Sequence, residues 1–510
     1  SFGGDIGGSS LFLGTLSIAK TGGSVTFADG KSVYVSSLAP SSGAYTVTMN
    51  SSAVQVSNAV TFANTAALTL GNGGADSFTF ASVTAVAPSS KSIAGTITAS
   101  AGSIDFGTSS TSASAAAELK ASAGSVTTAG FSSAAGTITI TAGEFVSCTG
   151  AVANTYTSGT VTVTAGTTVS FGSTVSSTGT VSVTAAGGSG AITTSGNVSS
   201  SAGDIALTGN VVLGADAVYS VSTSGINTVS ISGTLDGTTA NTQGLEIDTG
   251  TGAVALGGTV GSSVALEYLY LNTTQTASFS IPQVTNITTF ELATCGPVIQ
   301  SGTLTGTGLY VKTLAASGVA PITLYDSGND FDTVILATLD STGTAAVASA
   351  VAYQDVDGFA VASNGSFLLT GLGGICSAGD IALYAGGAVT QSGPVTGSGS
   401  LLLLGNGPYT LTNSSNAVSE FAASVSSGAL SLTDTVALSV TAVTATNVSA
   451  TASGITLSDS GSGFTLTDSA VMTLLQDVGT TGGDITFSGP VRIANGSSGI
   501  TVSSGISSAG

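Results

Sequence analysis

The sequence predicts an all-β protein built as a β-solenoid, in which short strands stack coil on coil. Glycine-led units begin at four neighbouring positions, with GTITITAG at Gly136, GTVTVTAG at Gly159, GTVSVTAAG at Gly179 and GDIALTGN at Gly203. Successive units are 23, 20 and 24 residues apart. A period of roughly 20–25 residues with strand alternation and no helical alternation is typical of stacked β coils.

A second repeat has a longer period. The segment GPVIQSGTLTGTG, from Gly296 to Gly308, returns as GAVTQSGPVTGSG, from Gly387 to Gly399, with eight of 13 positions identical at an offset of 91 residues. The identical positions include corner glycines, whose freedom at positive φ shapes the local backbone. We therefore expect the two copies to occupy equivalent places on successive units of the solenoid.

Strands are predicted by alternation of apolar and small polar residues. After each glycine-led corner, an apolar residue is followed by a small residue and then by a second apolar residue, which is the period of a half-buried strand. We expect the two apolar residues to point inward in one parallel β-helix. These pairs are Ile138/Ile140, Val161/Val163, Val169/Phe171, Val181/Val183, Ile205/Leu207, Val254/Leu256, Ile381/Leu383 and Ile485/Phe487.

Composition excludes both an ordinary helical domain and a disordered chain. Only 6% of the residues are charged, 42% are hydrophobic and the mean hydropathy is +0.51, which is the opposite of a disordered composition. Glycine and β-branched residues throughout disfavour helix, so helix content is expected below about 5%, against about a third in globular chains. The stretch from Ser112 to Ala121 contains good helix formers, and it is compatible with a helix, a bulged coil or a loop.

The charge balance excludes whole classes of partner. Six basic residues face 26 acidic ones, for a formal net charge of −20. Neutralisation of phosphates, on which nucleic-acid binding depends, is excluded, and an anionic bilayer would repel the chain. No apolar run reaches the roughly 18 residues of a membrane-spanning helix. We predict no nucleic-acid partner and no membrane insertion.

The cysteines and the first residues bear on the redox and cellular context. Cys148, Cys295 and Cys376 lie far apart and outside any CxxC pair, so neither a zinc site nor a disulfide framework is predicted. Ser1 opens no charged and apolar secretory signal. We interpret the sequence as a mature or internal segment of an exported chain.

The length and regularity of the predicted coils divide the chain into three parts of one continuous solenoid. This solenoid is expected to form an elongated rod. Residues 1–90 form irregular amino-terminal coils, 91–202 form short regular coils, and 203–510 form longer coils that carry the 91-residue super-repeat. No proline-rich linker separates these parts.

Several stretches resemble the filamentous-haemagglutinin-like exoproteins of two-partner secretion and the giant repeat adhesins that share their pattern. They are GDIALTGNVVLG from Gly203, LEIDTGTGAVALGGTVGSSVALEYLYL from Leu245, the segment from Tyr409 to Val440, and GDITFSGPVRIANGSSGITVSSG from Gly483. The resemblance covers residues 90–510 and is weaker before them. It implies a right-handed parallel β-helix at the bacterial cell surface, acting as an adhesin, a fibre or a toxin-carrying stalk. The Asn-Pro-Asn motifs of the family's secretion domain do not occur here.

Chemistry-bearing residues are sparse. Histidine is absent, which removes Ser-His-Asp and Cys-His catalysis and the usual zinc ligands. The best cation candidates are Asp326, Asp330 and Asp332, which could meet the carboxylates of YQDVDG, Asp355 and Asp357, on an adjacent coil as oxygen ligands. The alternative is ordinary corner chemistry, in which Asp and Asn bond to the local backbone.

One exposed aromatic pair stands out. In ALEYLYLN, Tyr268 and Tyr270 alternate with Leu269 and Leu271, so the tyrosines point outward if the leucines point inward. Outward tyrosines suit lateral contact or stacking on a sugar ring, and they also suit packing beneath a neighbouring loop.

The function expected from these observations is structural. We expect a non-enzymatic extracellular surface or fibre protein, an adhesin-like stalk or filament subunit, with no catalytic residues and no cofactor. Neither SFGGDIGGSSLFLG at the start nor GITVSSGISSAG at the finish resembles a polar cap. We therefore expect end-to-end self-association or continuation into a longer chain. Surface glycans or proteins of a host or neighbouring cell are the expected partners. The alternative is a secreted β-helical glycan-active enzyme or a glycan-binding module.

Overall fold

The computed structural model describes residues 1–187, 190–315, 319–494 and 499–505. All regular structure in these ranges is β-strand, and the strands stack into about 22 turns of a parallel β-solenoid. The same ranges contain no helix long and apolar enough to cross a membrane. The predicted fold class is therefore confirmed. The closing segment GITVSSGISSAG, expected to lack a cap, lies partly outside the described residues.

Two compact units divide the chain, Ser1–Gly258 and Thr259–Gly510. The strands of the first unit are β1 (Leu13–Ile18), β2 (Gly22–Phe27), β3 (Ser32–Pro40), β4 (Ala44–Met49), β5 (Ala53–Val56), β6 (Val60–Thr61), β7 (Ala67–Leu70), β8 (Ser77–Phe80), β9 (Val83–Thr84), β10 (Ser90–Ala99), β11 (Ile104–Asp105), β12 (Thr111–Ala121), β13 (Val126–Thr128), β14 (Phe131–Ser133), β15 (Ile138–Ala142), β16 (Val146–Cys148), β17 (Val152–Asn154), β18 (Val161–Ala165), β19 (Val169–Phe171), β20 (Val175–Ser177), β21 (Val181–Ala185), β22 (Ala191–Thr194), β23 (Val198–Ser200), β24 (Ile205–Thr208), β25 (Asn210–Leu213), β26 (Ala217–Val221), β27 (Val229–Ile231), β28 (Leu235–Gly237), β29 (Leu245–Gly250) and β30 (Val254–Leu256).

The strands of the second unit are β31 (Tyr268–Thr273), β32 (Phe279–Ile281), β33 (Val284–Thr294), β34 (Val298–Gln300), β35 (Leu304–Ala315), β36 (Ile322–Leu324), β37 (Asp330–Asp340), β38 (Val351–Asp355), β39 (Ala360–Val361), β40 (Ile375–Cys376), β41 (Ile381–Ala385), β42 (Thr390–Gln391), β43 (Val395–Thr396), β44 (Ser400–Gly405), β45 (Tyr409–Leu411), β46 (Glu420–Val425), β47 (Leu430–Asp434), β48 (Ser439–Val440), β49 (Ala442–Ala445), β50 (Ala450–Ser453), β51 (Ile455–Ser460), β52 (Phe464–Asp468), β53 (Met472–Leu474), β54 (Val478–Thr481), β55 (Ile485–Ser488), β56 (Val491–Ile493) and β57 (Val502–Ser504). The division of the sequence into three parts stays a prediction.

In the first unit, the regular turns contribute one strand to each of three parallel ladders. Strand β15 pairs with β18, β16 with β19 and β17 with β20, and the same offset continues in the next turns. Within one ladder, Ile138, Val161, Val181 and Ile205 are successive Cα partners. Matched β-branched residues therefore stack directly above one another inside the solenoid, where they pack well on a pleated surface.

The inward direction of the predicted apolar pairs is confirmed for most of them. From Ile138/Ile140 to Ile205/Leu207, and at Ile381/Leu383, both members are at most 2% exposed. Val254 is also buried, whereas Leu256 is half-buried. Ile485 and Phe487 are half-buried as well, although they are the register partners of the buried Phe464 and Leu466.

The stretch with good helix formers is a strand. Residues 112–121 lie in β12, whose first part pairs with β14 and whose second part pairs with β15. The pairing of β12 with β10 shifts register between Ile93 and Gly95, which marks an irregularity of the β-bulge kind. Parallel pairing on both sides thus overrides the local helix propensity, which is a weak determinant.

A hairpin adds an outer layer to the second unit. Strands β49 and β50 pair in antiparallel fashion and pack against one outer row of the ladders, formed by Ala352, Ala382, Leu402 and Ala422. Nδ2 of Asn447, between the two strands, donates to Oγ1 of Thr323 at 3.2 Å. Both faces of this part of the sheet are therefore buried, so its strands lose the simple alternation.

The two copies of the 91-residue repeat do not occupy equivalent places. Val298 pairs with Ile322 in β36, and its ladder continues through Val351 to Ile381. In the same ladder, Ile299 pairs with Thr323, whereas its counterpart in the second copy, Thr390, belongs to the ladder of Thr333 and Ala360. The predicted equivalence is wrong because intervening turns of unequal length move the second copy to a different ladder.

The copies nevertheless share one local arrangement of hydrogen bonds. In the first, Nε2 of Gln300 donates to Oδ1 of Asn329 at 2.8 Å, and Nδ2 of Asn329 donates to Oε1 of Gln300 at 3.0 Å. In the second, Gln391 and Asn416 form the same reciprocal pair, with both distances 2.9 Å. The repeated residues therefore specify the local structure of a corner, in which the following turn supplies a buried amide. They do not specify the ladder to which that corner belongs.

Candidate functional site

Three aspartates meet at the same corner of two successive turns of the second unit. Asp330 begins β37, Asp355 ends β38, and Asp357 follows in the next corner. One carboxylate oxygen from each lies within 4.8 Å of the others. Asp330 and Asp357 are exposed, whereas Asp355 is fully buried. The group is open to solvent on one side and anchored in the core on the other.

Asp355 is held by a complete set of hydrogen bonds. Its Oδ2 accepts from the hydroxyl of Tyr353 at 2.6 Å and from the backbone N–H of Phe331 at 3.1 Å, while Oδ1 accepts from the N–H of Asp357 at 3.2 Å. Burial raises the pKa of Asp355 to about 6, against the opposing effect of these donors. Burial beside this carboxylate also holds the pKa of Tyr353 well above its ordinary value.

The exposed members repel one another. Burial, followed by the charges of Asp357 and Asp332, raises the pKa of Asp330 above its usual range. Carboxylates brought together in this way are the ligands that hard cations such as Ca²⁺ prefer, and a bound cation would offset the repulsion. The residues present fit a cation by donor type, although such a site needs six to eight oxygen atoms in all.

The structure places the predicted cation candidates differently from one another. Asp330 meets Asp355 and Asp357 on the adjacent coil, as the sequence allowed. Asp326 lies outside the group, because its Oδ1 accepts from the N–H of Gly328 at 2.9 Å, which is corner chemistry. Asp332 is exposed and also lies outside the group.

A titration with Ca²⁺ distinguishes a cation site from corner chemistry. If the group binds the ion, millimolar Ca²⁺ should raise the thermal midpoint by on the order of 5 °C, because a ligand that binds only the folded state stabilises it. Asp357→Asn should abolish the shift, and Asp332→Asn, with the same charge change outside the group, should preserve it. An unchanged midpoint in differential scanning calorimetry would assign all three aspartates to corner chemistry.

The predicted aromatic pair points outward and forms part of a larger stack. Tyr268 and Tyr270 have ring centroids 4.5 Å apart, and Phe367 stacks on Tyr270 with a centroid distance of 5.1 Å. Both faces of the Tyr270 ring are therefore covered, while Phe367 remains 55% exposed. Tyr270 packs beneath a neighbouring loop, which leaves Tyr268 and Phe367 as the rings that a partner could reach.

The loop that carries Phe367, residues 363–374, is fastened to the outer face of the sheet by a buried glutamate and a half-buried lysine. We call it the strap. The carboxylate of Glu291, 0% exposed, accepts from the N–H and hydroxyl of Ser366 and from the N–H of Leu368. Nζ of Lys312 donates to the carbonyl oxygen of Leu368 at 2.6 Å. Burial lowers the pKa of Lys312, and the negative charge of Glu291 opposes that effect.

The strap could not be found by sequence reasoning. Glu291 sits in the run FELAT, where its outward position in β33 is the ordinary place for a solvated charge. One signal was available, the apolar run VILATL in β37, whose outward residues Ile335 and Ala337 are both fully buried. A strand that is apolar on both faces predicts a cover of some kind.

Comparison with known proteins identifies no relative of this chain. No protein-family model matches it, and no match was found among curated proteins or solved structures.

Proposed function

We propose that this chain is a structural, non-enzymatic protein of an extracellular surface or fibre, resembling an adhesin stalk or a filament subunit. The observation that carries the proposal is the ladder of matched residues in the first unit. Ile138, Val161, Val181 and Ile205 stack in register inside, and Thr139, Thr162 and Ser182 stack in register outside. Such a ladder gives stiffness by backbone pairing between turns, with few charged groups.

The surface of the ladders suits repeated weak contacts. A shallow groove of about 520 Å³ runs across several turns of the first unit and is lined mainly by hydroxyl groups, including those of Ser176, Ser199, Ser220 and Thr178. Rows of hydroxyls offer donors and acceptors to neutral polar partners such as glycans. A net charge of −20 works against anionic partners.

The acidic group supports this proposal over a glycan-active enzyme. Glycosidases need two carboxyl groups at the scissile bond, one that acts as acid and one that acts as nucleophile or base. Here Asp355 is fully buried and its carboxylate is enclosed by the hydroxyl of Tyr353 and the N–H of Phe331, so a substrate cannot reach it. The charges that act on Asp330 are those of Asp357 and Asp332, both acidic.

Assembly and activity can be tested on the same purified protein. We expect light scattering after size-exclusion chromatography to show species larger than 48.5 kDa, electron microscopy to show end-to-end filaments, and antibodies to label intact source cells. A panel of polysaccharides should release no reducing ends and no unsaturated products. A stable monomer that cleaves one of these polysaccharides would reject the structural proposal in favour of the enzyme.

A further inference from the structure

Two aspartates lie one above the other inside the second unit. Asp434 ends β47 and Asp468 ends β52, and the two are Cα partners in the parallel register of these strands. Each is only 1% exposed. Parallel neighbours stand about 4.8 Å apart, so the two carboxyl groups are buried within reach of each other.

Their hydrogen bonds are alike except at one atom. Oδ1 of each accepts from the N–H two residues ahead, from Val436 at 2.9 Å and from Ala470 at 2.7 Å. Oδ2 of Asp434 accepts from the N–H of Val418, in the preceding turn, at 2.9 Å. Oδ2 of Asp468 is buried and has no hydrogen-bond partner.

The missing partner has a structural cause. The donor that corresponds to Val418, one turn later, is the N–H of Val436, and it already donates to Asp434. Because Oδ2 of Asp434 accepts from the preceding turn, we infer by equivalence that Oδ2 of Asp468 lies on the side of its own preceding turn, where Asp434 stands. An ionised oxygen left unpaired at this depth would cost several kcal/mol, and two ionised carboxylates in contact would cost more.

Among the residues that the structure describes, none acts as a positive charge on Asp434. The turn above places the amide of Asn416 at this corner, and Nδ2 of Asn416 donates to the carbonyl oxygen of Thr433. The turn below pairs Thr467 with Ser488, which puts Gly489 next to Asp468. Asp468 is the charged group that acts on Asp434, and burial, together with this neighbour, raises the pKa of Asp434.

We propose that Asp434 and Asp468 share one proton, held between the unpartnered Oδ2 of Asp468 and the carboxyl group of Asp434, and that this pair makes the stability of the second unit depend on pH. The proton comes from solvent when the chain folds and returns to it on unfolding. A cation is a poorer occupant, because three of the four oxygens already accept backbone hydrogen bonds.

The sign of the effect follows from linkage. The folded pair retains a proton that free aspartates, with a pKa of about 3.9, release. Its contribution to stability is fully present below about pH 4 and is lost as the pH rises through the raised pKa of the folded pair. The second unit should therefore be least stable at alkaline pH.

The test compares Asp468→Asn with Asp484→Asn, which makes the same charge change at an exposed site. At pH 8, Asp468→Asn should raise the thermal midpoint of the second unit by several degrees, because its amide can donate permanently to Asp434, as Asn416 donates to Gln391. The midpoint should also become less dependent on pH. Asp484→Asn should leave both unchanged.

Infrared spectroscopy supplies a readout that does not depend on stability. At a pH slightly above about 4, the difference spectrum between the wild-type protein and Asp468→Asn should contain the carbonyl band of a protonated carboxylic acid, and this band should disappear as the pH rises through the raised pKa of the pair. Asp434→Asn should be less stable than Asp468→Asn, because its amide would face the N–H of Val418 or Val436. Absence of the band in the wild type, or a thermal midpoint that rises with added Ca²⁺ in the wild type but not in Asp468→Asn, would overturn the shared proton.

Discussion

Glu291→Ala is expected to detach the strap from the second unit and to make residues 363–374 the first site of proteolysis. The substitution leaves the N–H groups of Ser366 and Leu368 without an acceptor and removes the negative charge that offsets the half-buried Lys312. Removing one partner from such a buried arrangement costs about 3–5 kcal/mol. Because turns of a solenoid contact mainly their neighbours, the loss should remain local.

Limited proteolysis followed by mass spectrometry measures this release directly. Glu267→Ala is the matched control, because Glu267 is exposed and lies just before β31 in the same unit. We expect cleavage within the strap to accelerate at least tenfold in Glu291→Ala and to remain unchanged in the control. Equal cleavage rates would show that the Phe367 stack and the hydrogen bond from Lys312 to Leu368 fasten the strap without Glu291.

Asn416→Ala is expected to loosen three consecutive turns of the second unit at once. Oδ1 of Asn416 accepts from the N–H of Val395 at 2.8 Å and from Gln391, and Nδ2 donates to the carbonyl oxygens of Leu411 and Thr433. The side chain is fully buried, so water cannot replace these partners without entry into the core. Leaving several buried groups unpaired should cost about 3–5 kcal/mol in local stability.

Hydrogen exchange at individual amides tests the prediction. The N–H of Val395 should lose most of its protection in Asn416→Ala, while amides in the ladder of Ile138 should keep theirs. Asn406→Ala is the control, since Asn406 is exposed and its Nδ2 donates only to Gly386 among the contacts described. Protection of Val395 equal to that of the wild type would mean that Asn416 fills space without supporting the turns.

Sequence periodicity was sufficient to predict the ladders because each regular turn repeats the same physical choice. In the first unit, side chains alternate along each strand, so Ile140 and Val163 point inward where Thr139 and Thr162 point outward. The parallel register then places the same kind of residue at the same position in each turn. The same reasoning does not decide residues 112–121, where pairing with β10 and β15 selects the bulged coil among the predicted alternatives.

The functional details were harder to predict because they depend on contacts between distant parts of the sequence. Ser366 meets Glu291 across 75 residues, and Asn447 meets Thr323 across 124. The meeting of Asp330 with Asp355 could be anticipated, since Asp330 follows and Asp355 precedes a corner that contains aspartate and glycine, on consecutive coils. The stacking of Asp434 on Asp468 could have been read from the repeated LSLTD and FTLTD, whose identical final residues imply one register.

The hairpin of β49 and β50 has a consequence for how this protein can change in evolution. Turns of the first unit that carry the ladder of Ile138 are nearly interchangeable, so duplication or loss of one should be tolerated as a change of copy number. Duplication or loss of a turn between Thr323 and Asn447 would shift the hairpin by one strand spacing, about 4.8 Å, relative to the row of outer apolar residues on which it packs. The hairpin therefore fixes the number of turns beneath it, and length variation among descendants of this chain should be confined to the turns that it does not span.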